Sequence, residues 1–332
     1  MFMFYGLPTI CHVPVVQTKA WPGLSVINAG GVPQLNITGM SKETDRFLAV
    51  PGKKIKLKDF STSESGKLDK AEGKANLQTV KAKLSKHQET LYAENTHSLL
   101  IIFQAMDAAG KDSAISHVMS GLNPQGCQVF SFKTPTVNEY QHDFLWRHHL
   151  ALPKKGMIGI HNRSHYENVL VCKVHPEYVL SERIPGIDSV KKADKNFWKA
   201  RYDSIRDFER HVTASGTRII KFFLYVSPEE QKERFLERIN NPDKNWKFSG
   251  ADITERALWK DYMSAYEEAI SETSTADAPW YIIPADKKWF ARLTISQILE
   301  QAFEDMKLKF PELPEEQMSK LEGYKKNLLE EV

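Results

Sequence analysis

Residues 97–116 read HSLLIIFQAMDAAGKDSAIS. The first nine form a short apolar run of the kind that makes a strand buried on both faces. The residues from Lys111 onward have helical spacing, with Ile115, Val118, Met119 and Leu122 on one side. Between them lies AMDAAGKD, which nearly matches the phosphate-loop pattern G-x-x-x-x-G-K-[ST]. Gly110 and Lys111 fit, but Ala105 replaces the first glycine and Asp112 replaces the hydroxyl residue. In a strand–loop–helix context the amides of residues 107–112 converge on an anion at the helix N-terminus, where the helix dipole favours negative charge. Ala108, Ala109 and Gly110 supply that backbone, with Ser113 just beyond, and Lys111 reaches the terminal phosphates. The bland reading is a strand–helix turn with a capping Asp and a surface Lys; the flanking elements favour the phosphate loop.

The two departures carry chemistry. A hydroxyl after the lysine ordinarily meets Mg²⁺. Here Asp112 puts a carboxylate there, and Asp107 puts a second one inside the loop. Two acids beside a phosphate site repel it unless a hard cation intervenes. The loop therefore reads as rebuilt around a metal, with Asp107 and Asp112 as its ligands and Mg²⁺ (or Mn²⁺) as the ion.

The chain around it alternates strand and helix. Strands are predicted at 97–105, 127–133, 156–162, 217–227 and 278–285. Helices are predicted at 74–95, 111–123, 138–152, 166–174, 195–215, 228–239, 251–273 and 288–306. Such alternation implies a parallel sheet of about five strands with helices on both faces. The expected organisation is a flank with a helix over 41–96, an α/β domain over 97–310 and a helical tail over 311–332. Residues 1–40 hold no Asp or Glu, one Lys, four Pro and five Gly. They read either as a flexible appendage or as a non-native extension ahead of Met40.

The 332 residues carry 45 basic and 42 acidic side chains, a net charge of +3, too balanced for nucleic-acid binding by composition. No apolar run is long enough to cross a membrane as a helix. Cys11, Cys127 and Cys172 form no C-x-x-C pair, which argues against disulfide or zinc frameworks and for a cytoplasmic protein.

A second constellation, GIHNRSHYENVLV (159–171), follows a strand. Asn162 and Arg163 stand at its end, where Arg163 can clamp a transferring phosphoryl group. Glu167 is either part of a capping box with Ser164 or a site residue. His161 faces either the sheet or the site. A third, EEQKERFLERINNPDKNWKFS (229–249), places Arg234 and Arg238 four apart with Lys232 offset, while Phe235, Leu236 and Ile239 serve the core side. Its glutamates allow a plain solvated face instead.

Together QAMDAAGKDSA, GLNPQG, HDFLWRHHLALP, NRSHYENVLV, NNPDKNWKFS and STADAPWYIIPADKKWF resemble the type-2 polyphosphate kinase family over roughly residues 45–310. The single-domain form with NRSHYEN is most similar to the class that phosphorylates both AMP and ADP, class III. The resemblance implies a thymidylate-kinase-like P-loop fold, a helical lid at about 229–260, inorganic polyphosphate as donor, Mg²⁺, and a homo-oligomer (dimer or tetramer). It implies functional roles for Asp107, Lys111, Asp112, Asn162 and Arg163, and for Glu167 in AMP use. Lys232, Arg234 and Arg238 match the lid more loosely. A polymer of phosphates also calls for a longer basic groove, for which Arg147 is a further candidate. His148 and His149 read as packing residues. Glu167 either serves the shorter acceptor AMP, the favoured expectation, or aligns Arg163. Competing functions are an ATP-dependent nucleoside monophosphate kinase and a non-catalytic binding protein.

Overall fold

The computed structural model describes residues 42–331. The expectations for residues 1–40 lie outside that range. In chain order the elements are α1 (Lys42–Asp45), β1 (Leu48–Ala49), α2 (Lys70–Glu94), β2 (Ser98–Ala105), α3 (Lys111–Met119), β3 (Cys127–Ser131), α4 (Trp146–Leu150), β4 (Ile158–Asn162), α5 (Val171–Val174), α6 (Lys195–Ala214), β5 (Thr217–Tyr225), α7 (Pro228–Asn240), α8 (Gly250–Ala257), α9 (Trp259–Thr273), β6 (Trp280–Pro284), α10 (Lys288–Met306) and α11 (Glu315–Glu330). The sheet order is β1-β6-β5-β2-β4-β3. The five strands predicted from the sequence are parallel, and β1 adds an antiparallel edge through Leu48 opposite Tyr281. β1 has two residues, too short for any periodicity to mark it.

Strand pleating sends alternate side chains to opposite faces, and both faces are apolar. Leu99, Ile101 and Phe103 of β2 join Ile220, Phe222 and Leu224 of β5 beneath α2, α3 and α10. Leu100 and Ile102 join Ile219, Phe223, Trp280 and Ile282 beneath α6 and α9. Burying each such side chain contributes about 1.5–3 kcal/mol, so the sheet is held from both sides. Asp69 and Glu72 form a capping box on α2, and Ser227 caps α7 ahead of Pro228. Among the described residues, no helix is long and apolar enough to cross a membrane.

Three predicted helices are broken. Residues 138–152 form a 3-10 turn at Glu139–Gln141 and the short α4. Glu139 and Thr136 bond each other's amides, and Asp143 takes the amide of Leu145. Such side-chain bonds compete with the helix ladder. Residues 166–174 form a 3-10 turn at His165–Asn168 and α5, because His165 and Tyr166 both turn to Glu209 of α6. The helix predicted at 251–273 divides at Leu258 into α8 and α9, where Glu255 is drawn to His175 and Tyr262.

Beneath the sheet lies a polar cluster. Lys221 and Glu209 pair at 2.6 Å, almost wholly buried, and Lys221 also donates to Tyr166 Oη and the Thr273 carbonyl. His148, His161 and His165 are buried alongside. His161 donates through Nε2 to the Ala151 carbonyl at 3.0 Å, its Nδ1 meets no partner, and the ring packs edge-on to Phe132. Its side chain thus lies in the aromatic layer below the sheet edge and not in the site, the question left open by the sequence.

Burial lowers the pKa of all three histidines, that of His161 to about 4. The unfolded chain then binds protons first as pH falls, so these groups support the fold above about pH 6.5, and that support is lost between about 6.5 and 4. For His161 the loss approaches about 3 kcal/mol at pH 4. Urea unfolding at pH 7 and 4.5 should show a marked drop in stability, and His161→Gln should shrink that drop by about 2 kcal/mol. An unchanged pH slope in the variant would count against this account.

Candidate active site

β2 is central in the sheet, and its neighbours β4 and β5 run parallel to it. The chain leaves toward β3 on one side and later returns to β5 on the other. In open α/β sheets that reversal opens a crevice beyond the carboxyl ends of the strands. The segments after β2, β3 and β4 meet there, with α7 and the first residue of α10.

The loop after β2 is shaped from behind. Gln231 Nε2 of α7 donates to the Asp107 carbonyl at 2.8 Å. Arg234 Nη1 donates to the carbonyls of Ala108 at 3.2 Å and Ala109 at 2.6 Å. In a planar trans peptide the carbonyl and the following amide point opposite ways. Three carbonyls turned toward α7 therefore turn the amides of residues 108–110 away from it. Ala109 spends its amide on the Met106 carbonyl, and α3 begins at Gly110 (φ 97°) with no side-chain cap. Among the described residues, the amides of Ala108, Gly110, Lys111, Asp112 and Ser113 meet no protein acceptor. Open amides at a helix start are chemically suited to an anion. Ala108 holds φ 60°, a left-handed backbone that costs a non-glycine residue about 1–2 kcal/mol.

Arg163 follows β4, also left-handed at φ 66°, with its amide on the Phe103 carbonyl at 3.0 Å. Its guanidinium bridges Asp107 at 2.9 Å and Glu167 at 3.2 Å. Glu167, then Asp107, tighten its hold on the proton. Asn162 Nδ2 donates to Asp112 Oδ1 at 2.6 Å. Lys111 is half-buried, and its pKa is lowered by burial and by the Arg163 charge, against the pull of the three acids.

The cleft above these groups has a volume of about 860 Å³. Its wall includes eight cations (Lys111, Lys133, Arg163, Arg234, Arg238, Lys244, Lys247, Lys288) and four acids (Asp107, Asp112, Glu237, Asp252). The local excess exceeds the +3 of the whole chain, so positive charge is concentrated here. A much smaller cavity of about 30 Å³ lies behind Arg163, lined by Asp107, Glu167, Glu255, Tyr262 and Tyr266.

Asp107, Ala108, Ala109, Gly110, Lys111, Asp112, Ser113, Asn162, Arg163 and Arg238 all line the large cleft. Glu167 joins it through Arg163, and its side chain makes no capping bond, although Ser164 does cap the Tyr166 amide. Other expectations differ from the structure. Arg147 lies outside the cleft, bonded to the Lys133 carbonyl at 2.8 Å and stacked over Phe132. Lys232 is exposed and also outside it. Arg234 lines the cleft, but its donors go to Glu230 and to the carbonyls of Ala108, Ala109, Ala285 and Asp286. Five N–H groups face five acceptors, so it builds the loop instead of gripping a ligand. Leu236 and Ile239 are exposed; only Phe235 of the three reaches the core. Lys133, Lys244, Lys247 and Lys288 were not singled out from the sequence. The convergence of strand ends was the available signal for Lys288, and the motif NNPDKNWKFS for Lys244 and Lys247.

The family model for polyphosphate kinase 2 matches residues 67–311. The chain is 52% identical over 273 residues to the ADP-polyphosphate phosphotransferase of Rhodopseudomonas palustris, covering 78% of this chain and 93% of that one. It is 44% identical over 254 residues to the AMP/ADP-polyphosphate phosphotransferase of Meiothermus ruber, covering 76% and 88%. The crystal structure of polyphosphate kinase 2 from Arthrobacter aurescens TC1 superposes with a TM-score of 0.72 at 41% identity, covering 79% of this chain and 89% of that one. With its loop, cleft and strand order in that company, this chain belongs to the polyphosphate kinase 2 family.

Proposed function

We propose that the protein transfers phosphoryl groups between inorganic polyphosphate and ADP or AMP. The observation that carries this reading is an uncapped helix start beside Lys111 in a cleft walled by eight cations. One nucleotide does not need a wall of that extent, whereas a linear polyanion does. The amides of Gly110–Ser113 and Lys111 hold donor phosphates. Arg163 faces the transferred group and stabilises the charge that develops on it. Asp107 and Glu167 keep its guanidinium planar to the cleft, and Asn162 fixes Asp112. Residues 229–260, with Arg238, Lys244 and Lys247, act as a lid over the donor.

The family's chemistry implies a divalent cation, and the residues present fit Mg²⁺. Asp107 and Asp112 each commit Oδ1 to a neighbour. Their second oxygens are the natural ligands for an ion otherwise held by water and substrate phosphate. Among the described residues, no group of three or more His, Cys, Asp or Glu is set to hold a metal ion. When bound, Mg²⁺ would offset donor charge and polarise the phosphoryl group.

The direct test is ATP formation from ADP, and from AMP, with polyphosphate and Mg²⁺, beside a control in which ATP is the donor to AMP. Transfer only from ATP would favour an ordinary nucleoside monophosphate kinase. Lys111→Ala should lower turnover by about a hundredfold or more, because it removes a preorganised charge, while the melting temperature stays within a few degrees. Near-normal turnover would remove Lys111 from the mechanism.

Glu167 bears on the acceptor. Its bond to Arg163 is the arrangement in which it aligns that guanidinium, not one reserved for AMP. On that contact we favour the second of the two expectations: Glu167→Gln should lower kcat/KM for AMP and ADP by similar factors, since the same Arg163 serves both transition states. A loss confined to AMP would restore the other reading.

A further inference from the structure

α7 sends two side chains, one turn apart, to the loop after β2. Arg234 bonds the carbonyls of Ala108 and Ala109 there and also Glu230 and the carbonyls of Ala285 and Asp286, none of which lies in the 241–257 segment. Gln231, 1% exposed, bonds at both ends of its amide. Nε2 donates to the Asp107 carbonyl at 2.8 Å, and Oε1 accepts from Arg256 Nη1 at 2.5 Å. Arg256 stands in the last turn of α8. That helix follows directly on the segment whose Lys244, Trp246 and Lys247 line the cleft. Asp107, at the other end, is also held through its carboxylate by Arg163 at 2.9 Å.

We infer that Gln231 is a positioning residue that couples the placement of the 241–257 segment to Asp107 through the chain Arg256–Gln231–Asp107. The inference rests on the phosphotransfer reading above and deepens it. Three physical points support it. A primary amide donates to a carbonyl through its NH₂ while its oxygen accepts from a guanidinium; a carboxylate does only the second and an ammonium only the first. The charged donor polarises the amide and strengthens its other bond, as in any chain of hydrogen bonds at low dielectric. Burial removes water as a substitute partner, so withdrawal of Arg256 leaves Oε1 unpaired and the Asp107 anchor weakened. The second link between the two helices, Arg238 to Asp252, is long at 3.7 Å and lies in the cleft itself. It gives the segment a hold on α7 without reaching the loop.

A double-mutant cycle tests this. Gln231→Leu, Arg256→Leu and the double variant are assayed in full-length protein with ADP, Mg²⁺ and saturating polyphosphate. Each single change should lower kcat by about tenfold with KM for ADP within about twofold, and the double variant should be no worse than the poorer single. Gln231→Glu keeps the acceptor for Arg256 and loses the donor to Asp107. It should hold KM for polyphosphate near wild type while lowering kcat as far as Gln231→Leu. Losses that multiply, or a Gln231→Leu variant that loses melting temperature but no kcat, would overturn the relay. If Gln231→Leu does not fold, Arg256→Leu and Gln231→Glu decide it together: the first must lower kcat with its melting temperature within about 2 °C of wild type, and adding the second must cause no further loss. Wild-type turnover measured alongside keeps the two ideas apart. Its absence sinks the phosphotransfer reading, whereas its presence with multiplicative losses sinks the relay alone.

Discussion

The site depends on which way three peptide planes face. The carbonyls of Asp107, Ala108 and Ala109 are drawn to α7 by Gln231 and Arg234. The open amides of the loop follow from that rotation. Were the planes reversed, carbonyl oxygens would line the cleft in place of the open amides and would repel an anion there. The left-handed turn at Ala108 and the uncapped start of α3 are parts of the same arrangement. A helix start without a cap forgoes roughly 1 kcal/mol of local stability, which is the usual condition for leaving its amides to a ligand.

Two kinds of ion pair do different things in this molecule. Lys221 and Glu209 are sealed beneath the sheet, and removing either partner would strand a charge there. Arg163 with Asp107 and Glu167 is about a third exposed, where such pairs add at most about 1 kcal/mol. The second set is therefore a device for orientation. Two acids on one guanidinium fix its plane, and a fixed plane is the geometry in which a guanidinium pairs with a phosphate in the function proposed above.

Much of this was readable in advance. Runs such as LLIIF and RIIKFFLY read as buried strands, and both are; the Gly110-Lys111 pair at the end of the first pointed to the loop that lines the cleft. The broken helices were less legible because Glu139, Asp143 and Tyr166 take partners that periodicity does not register. Arginines were the least legible residues. A sequence shows a guanidinium's charge but not where its five donors go. Arg147 stacks on Phe132, Arg234 ties a loop, and Arg163 faces the cleft, although all three read alike as candidate phosphate ligands. Charge that is spread over distant segments, such as Lys133 and Lys288, becomes a single wall only once the strand order is known.

The left-handed backbone at Ala108 and Arg163 has an implication for how this chain can change over time. Glycine would sit at either position without strain. At 163 it would also delete the guanidinium, so selection for heat tolerance and selection for turnover pull in opposite directions at one residue. At 108 no side-chain chemistry is lost, and the methyl group instead narrows the freedom of the loop before folding. The first position is closed to stabilising drift, while the second is open to it, and descendants of this chain should diverge at 108 long before they do at 163.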